Sequence, residues 1–479
     1  MLPKQQIIAL LCSSQAENLV LADMLAQGLG YELKDIIAEF GYNEVGIFNA
    51  ADFQKKELNC SSQKLKKLPD TLPHSLEILT CNFNQLTKLP ARLPPNLKEL
   101  KAQNNRLKEL PSTLPLNLEW LNVSNNKINK LPDTLPPNLT TLSIDNNKIS
   151  TLPHTLPPNL IYLWASTNLF THINFSQFAR LHKLLDISFA NNKKLSTVEG
   201  IAPSQLQGIN LDACNLAQLP SLWQTMSDTK NLNPNPYALV PADTVQLKRL
   251  YVAENQLTAL PLLPQRLEYL RCDANQLTQL PPLPPLLQML TVTNNQLKNI
   301  EIKELKRLIM FYVSHNLLRE LPDLSLIRLY SLHCGNNLLQ TLPAQLPDTL
   351  KIFDCQNNQL AALPLALPPF LEELNCANNK LTYLPDLPPR IKKIDCSHNQ
   401  ISQLPYTFPL TLKKLDCAYN LINFIIKETC AKIRDLNIAA NCLVGLPPVL
   451  PTTLKKLNCT NNPISDLNPD LYPKLKIIY

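Results

Sequence analysis

The sequence predicts an α/β solenoid. Short parallel strands stack into a sheet on a concave face, an extended, polyproline-like wall closes the convex face, and a helical segment precedes the first turn. Three observations predict this. An asparagine returns at a nearly constant interval from residue 84 to residue 462. The chain of 479 residues holds 42 prolines against 8 glycines, the reverse of average usage. And 45% of its residues are apolar. Disordered proline-rich segments carry glycine and serine as well and are poor in leucine. Here the proline accompanies leucine, so it is structural and the chain can bury a large core.

Residues 1–54 read as a helical cap. "SQAE" (14–17) has the pattern of a capping box ahead of an apolar helix that runs to "GLG" at 28–30. A second helix spans about 32–40 and ends at Gly41. These helices would cover the open apolar end of the first repeat. The apolar run "IIALL" (7–11) is shorter than the roughly 7–15 residues of a secretory signal core. No stretch approaches the roughly 18 apolar residues of a membrane span. The chain is therefore expected to fold in a cytosol and to leave, if exported, by a route that these segments do not display.

Residues 55–479 read as about 20 repeats. Aligned on LxxLxxxxNxL, asparagines fall at 84, 105, 126, 147 and 168, each 21 residues apart. Asn192 follows a longer step, Cys214 holds the same slot, and the series resumes at 255 and continues to 462, with Gln63 in the first slot. The step from 214 to 255 is 41 residues, about twice the period, and Asn235 lies midway in a degenerate stretch at 221–244. Each "LxxLxC" is a short strand turning apolar residues inward. The asparagine amide donates and accepts, so it can satisfy loop backbone groups that would otherwise be orphaned. Only about ten residues return the chain to the next strand, too few for a capped α-helix rising about 1.5 Å per residue. Proline has no N–H and favours extended backbone at itself and its predecessor, so "LPxxLP" builds a thin wall instead. This is the pattern of a leucine-rich-repeat horseshoe.

Thirteen cysteines invite a metal or disulfide reading. Nine of them (Cys60, Cys81, Cys272, Cys334, Cys355, Cys376, Cys396, Cys417 and Cys459) share one repeat position, which elsewhere holds Ala102, Val123, Ile144 or Val292. They are expected to be buried, reduced thiols. No CxxC occurs, and no histidine sits at metal-ligand spacing. The net charge of +7 is spread through the chain and makes no argument for nucleic acid.

Outward strand positions should face a partner. Most carry Asn, Ser, Thr or Asp. Two zones depart from this: Trp120, Tyr162 and Trp164 early, and Arg249, Tyr251, Tyr269, Arg271, Met289, Met310, Tyr312, His315 and His333 in the middle. Exposed aromatics and arginines match the residue types that dominate binding energy at interfaces. In the last repeats Lys393, Lys414 and Lys456 with Asp395, Asp416 and Asp435 suggest cross-strand charge pairing. The final strand, with no obvious cap, invites self-association along its edge.

The unit "LPxxLPxxLxxLxCxxNxLxxLP" resembles the LPX-type leucine-rich repeats of bacterial effectors of the YopM and IpaH kind, over residues 55–479. The resemblance implies a non-enzymatic scaffold, made in the bacterial cytoplasm and delivered into the host cytosol, where it binds a host protein. It implies no cofactor, metal or small-molecule substrate. Ligase-bearing members carry a nucleophile in a Cys-x-Asp motif, which this sequence lacks. Alternatives are a bacterial regulatory or adhesion-type protein of the same fold, and nucleic-acid binding through Arg249, Arg271 and Lys101 with stacking aromatics. An enzyme would need convergent groups. Only His315 and His333, near Ser314 and the inward Cys334, come close in the sequence.

Overall fold

The computed structural model describes residues 3–13, 15–223, 245–302, 304–425, 432–446, 450, 453–465 and 476–478. It divides into two compact units, Met1–Asn255 and Gln256–Tyr479. The degenerate stretch lies outside the described residues from 224 to 244.

The first unit opens with three helices, α1 (Pro3–Cys12), α2 (Ala16–Gly28) and α3 (Leu33–Glu39). The sequence reading missed α1, taking "IIALL" only as a short apolar run. Ile7, Ile8, Leu11 and Cys12 form its buried side, one turn apart. The capping expectation also needs correction. Gln15 is the N-cap of α2 and makes no side-chain cap bond; Ser14 lies outside the described residues. The helices dock on the first repeat through a polar knot. The buried Tyr42 hydroxyl donates to the Thr71 carbonyl at 2.7 Å, and Cys12 Sγ lies 3.3 Å from the same hydroxyl.

Three-residue strands follow. In the first unit these are β1 (Glu57–Asn59), β2 (Ile78–Thr80), β3 (Glu99–Lys101), β4 (Trp120–Asn122), β5 (Thr141–Ser143), β6 (Tyr162–Trp164), β7 (His172–Asn174), β8 (Asp186–Ser188), β9 (Thr197–Glu199), β10 (Gly208–Asn210) and β11 (Arg249–Tyr251). They pair in parallel in the order β1-β2-β3-β4-β5-β6-β8-β10-β11, while β7 and β9 form a separate two-stranded sheet. The second unit continues with β12 (Tyr269–Arg271), β13 (Met289–Thr291), β14 (Met310–Tyr312), β15 (Ser331–His333), β16 (Ile352–Asp354), β17 (Glu373–Asn375), β18 (Lys393–Asp395), β19 (Lys414–Asp416), β20 (Asp435–Asn437), β21 (Lys456–Asn458) and β22 (Lys476–Ile478), each parallel to the next.

The register is residue-for-residue, so each strand buries its middle residue over the one before. Leu100, Leu121 and Leu142 stack in this way, all fully buried. The first and third residues of each strand therefore form two columns on the sheet face.

The asparagine ladder holds successive turns together. Asn147 Oδ1 accepts the Ile128 N–H at 2.9 Å, and its Nδ2 donates to the carbonyls of Val123 and Ile144, each at 3.0 Å. The same triad of bonds recurs at Asn105, Asn316 and Asn420. At Cys214 the thiol donates to the Phe189 carbonyl at 3.4 Å. The N–H that an asparagine would accept there, that of Leu195, goes to the Asn192 carbonyl at 2.8 Å instead. Cysteine fits because a backbone group has taken over the acceptor's partner.

A second constraint went unread in the sequence. The residue before each ladder position sits in the left-handed region, for example Asn104 at φ +58°, Asn125 at +56° and Asn146 at +51°. Asparagine tolerates that region better than other side chains, which accounts for the Asn-Asn doublets.

The opposite wall is extended, as expected from its prolines, with one turn per repeat. The Pro94 carbonyl accepts the Leu97 N–H at 3.2 Å, and the pattern repeats at Pro136–Leu139 and Pro284–Leu287. The longer step between Asn168 and Asn192 carries β7 and a 3₁₀ turn, Phe175–Phe178, and β7 pairs with β9 of the following turn. Phe170, Phe175, Phe178 and Phe189 fill the added width, all fully buried.

Candidate functional site

On the face of the first unit, one column runs Glu99, Trp120, Thr141, Tyr162, Asp186, Gly208, Arg249 and the other Lys101, Asn122, Ser143, Trp164, Ser188, Asn210, Tyr251. Trp164 and Tyr251 thus stand three strands apart, with only Ser188 and Asn210 between them. These small side chains leave a depression of about 500 Å³, walled by Trp164 on one side and by Arg249 and Tyr251 on the other. Tyr162 stacks beside Trp164, ring centroids 5.7 Å apart.

Arg249 is held in place across a strand. Its Nη2 donates to Asp186 Oδ2 at 2.7 Å. Gly208 lies between them and makes the reach possible, since a Cβ there would come within 2.3 Å of that same carboxylate oxygen. This glycine stands in mid-strand, where glycine normally weakens a sheet and signals a close approach. The close approach here is side chain to side chain. Asp145 lines the same depression. Its Oδ1 accepts the Ser166 N–H at 2.7 Å, and burial raises its pKa above the usual carboxylate value despite that bond.

Sequence reasoning treated Trp164 and the Arg249–Tyr251 pair as parts of two separate zones. The structure brings them to one depression. The signal that could have joined them was the run of small residues at the intervening strand positions: Ser188, Gly208 and Asn210. Trp120 stands apart, two strands from Tyr162, with the Lys101 ammonium 5.9 Å from its ring.

The other residues of the middle zone belong to the second unit. Tyr269, Met289 and Met310 follow one another in one column. In the other, Tyr312 and His333 pack edge to face with centroids 4.6 Å apart, and His333 Nδ1 lies 3.6 Å from Asp354 Oδ2. Arg271 Nε reaches Asp273 Oδ2 at 3.4 Å.

Two expectations are corrected. His315 does not lie on the sheet beside His333. It occupies the left-handed position before Asn316, at φ +55°, outside β14. And the late charged repeats alternate across strands only in part. Lys393 faces Lys414 and Asp395 faces Asp416, because the exact repeat length places like with like. Opposite charges do meet across other strands: Lys393 opposite Glu373, with Nζ 3.9 Å from Oε2, Lys414 opposite Asp435, and Asp435 opposite Lys456. Asp416 is satisfied instead by Asn437 Nδ2 at 2.9 Å.

The nine thiols of the shared repeat position are buried, Cys214 in the ladder slot is half-buried, and Cys442 is the exposed cysteine among the described residues. Burial pushes the Cys60 thiol up to about 11 and the Cys214 thiol up to about 12. Such thiols are protonated and unreactive at neutral pH. Among the described residues no cluster of His, Cys, Asp and Glu could hold a metal ion, and no helix is long and apolar enough to cross a membrane.

The Leucine Rich Repeat family profile matches residues 117–137 and 138–158. Among solved structures, YopM from Yersinia enterocolitica WA-314 is 30% identical, over 93% of this chain and 95% of that one, with a TM-score of 0.69. The chain belongs to the YopM family of leucine-rich-repeat proteins. YopM from Yersinia pestis, described as a leucine-rich effector protein, is 29% identical over 88% of this chain and 93% of that one, with a TM-score of 0.51. A leucine-rich-repeat protein of Leptospira interrogans shares the fold, at 22% identity and a TM-score of 0.57 over 92% of this chain and 98% of that one. No curated protein matches. A YopM-family repeat array is a scaffold suited to protein–protein interaction.

Proposed function

We propose that this YopM-family protein is a non-enzymatic bacterial effector that binds a host protein through its sheet face, in the host cytosol after secretion. The depression of the first unit supports the reading best. Trp164, Arg249 and Tyr251 surround a floor of small polar side chains, and Arg249 is oriented in advance by Asp186. A rigid arginine and two flanking aromatics lose little conformational entropy on binding, which is what an anchor residue requires. Tyr269, Arg271, Tyr312 and His333 on the second unit offer a further contact surface of the same residue types.

The test is quantitative capture from host-cell lysate, comparing the parent chain with Trp164→Ala and Tyr251→Ala. A specific partner retained by the parent chain and reduced at least tenfold with either variant supports the reading; tenfold is about 1.4 kcal/mol, the lower range for an anchor residue. Equal retention by all three chains removes the depression from the binding surface.

A further inference from the structure

We propose that the second unit holds a separate recognition pocket for an acidic protein segment that presents an apolar side chain. The pocket is on the flank of the sheet, where the chain turns into β14, β15, β16 and β17. It has a volume of about 630 Å³. Ile309, Tyr330 and Phe370 supply its apolar surface, each about 40% exposed. Around them stand Lys306, Arg307, Arg328 and Lys351, and the lining contains no carboxylate.

Three of the four cations of this pocket are not matched internally. Among the described residues, Lys306, Arg307 and Arg328 form no ion pair, while Lys351 Nζ lies over the Tyr330 ring, 5.1 Å from its centroid, and, beyond the Lys392 hydrogen bond, its charge also helps lower the pKa of Glu372 on the next turn. In the turns before other strands the charges at equivalent repeat positions are matched: Lys98 with Glu77 in the first unit and Lys392 with Glu372 in the second. Four like charges around an apolar cavity repel one another and are relieved by a negatively charged occupant. Two of them are arginines, whose forked donors pair with carboxylates in bidentate fashion.

The shape chooses among anionic partners. Apolar and cationic residues line one cavity, so a single projecting side chain with acidic neighbours can reach both. A bilayer surface cannot, because membrane docking needs apolar residues that protrude beyond the basic ones. A peptide with one aromatic residue flanked by Asp and Glu meets both requirements. The pocket lies in the second unit and does not depend on the sheet-face depression of the first.

The experiment titrates the full chain with a fluorescein-labelled acidic peptide carrying one central phenylalanine, read by anisotropy. Saturable binding is expected. It should weaken at least tenfold with Arg328→Glu/Lys351→Glu, and at least tenfold when the peptide's phenylalanine is replaced by alanine; both protein positions are on the surface, and circular dichroism checks the fold. Tyr251→Ala should bind the peptide as the parent chain does. Unchanged binding by Arg328→Glu/Lys351→Glu, or equal binding of the two peptides, overturns the proposal. So does loss of binding with Tyr251→Ala, or binding of phosphatidylserine-containing vesicles without binding of the peptide.

Discussion

Replacing Asn147 with alanine isolates what the ladder contributes. The side chain is 8% exposed and makes three bonds of 3.0 Å or less: from Ile128 N–H, and to the carbonyls of Val123 and Ile144. Alanine leaves the buried Ile128 N–H without its ladder partner, whereas the Val123 carbonyl keeps Asn126 Nδ2 at 2.9 Å and the Ile144 carbonyl keeps Asn168 Nδ2 at 2.9 Å. A buried group left unsatisfied costs about 1–3 kcal/mol, so the one Ile128 N–H predicts a loss of about 1–3 kcal/mol. Asn147→Cys should lose less. A thiol fills more of the site than a methyl group, donates to a carbonyl as Cys214 does, and offers the Ile128 N–H a weak acceptor. Hydrogen exchange is the assay, because stability in a repeat array is a sum of local and nearest-neighbour contributions and one global midpoint would blur it. Protection should fall most at residues 123–149, with the order parent, cysteine, alanine. A change no larger than that of exposed Asn138→Ala, or cysteine no better than alanine, would refute the ladder argument.

Further consequences follow from the same geometry. Iodoacetamide should modify Cys442 promptly in the folded chain and leave Cys81 and Cys376 unmodified until unfolding; rapid labelling of either would contradict their burial. Stability should hold up to about pH 9, the ordinary thiol value, and fall as pH rises toward 11–12. The sign follows because the unfolded chain releases its thiol protons first, at roughly 1.4 kcal/mol per pH unit per thiol, and Cys81→Val/Cys376→Val should flatten the decline seen in melting temperature. Gly208→Val should displace Asp186 from Arg249 and reduce partner capture while the melting temperature stays close to the parent value.

The solenoid was legible in the sequence because its causes are periodic. Leucine spacing, the ladder asparagine and the proline wall each recur with the strand, so one repeat read correctly is nearly all of them read correctly. The charge pairing held only in part for the same reason. An exact period sets Lys393 against Lys414, and alternation along a strand says nothing about alternation across strands. His315 was misplaced because the strand is only three residues long and the next turn begins sooner than the leucine pattern implies. The depression depends on what is missing at Ser188, Gly208 and Asn210, and small side chains carry no signal until a register is known. The basic pocket of the second unit escaped notice because its residues fall in the turns before the strands, positions that the sheet pattern leaves unassigned.

The central claim is that partners meet this chain on its sheet face. It is tested most directly by placing photo-cross-linking benzoylphenylalanine at Tyr251, and separately at Leu116, an exposed residue of the turn before β4 in the same unit, 72% accessible. After irradiation in host-cell lysate, the account predicts a discrete adduct from position 251 and none from position 116. An adduct from position 116 with none from position 251 would contradict it.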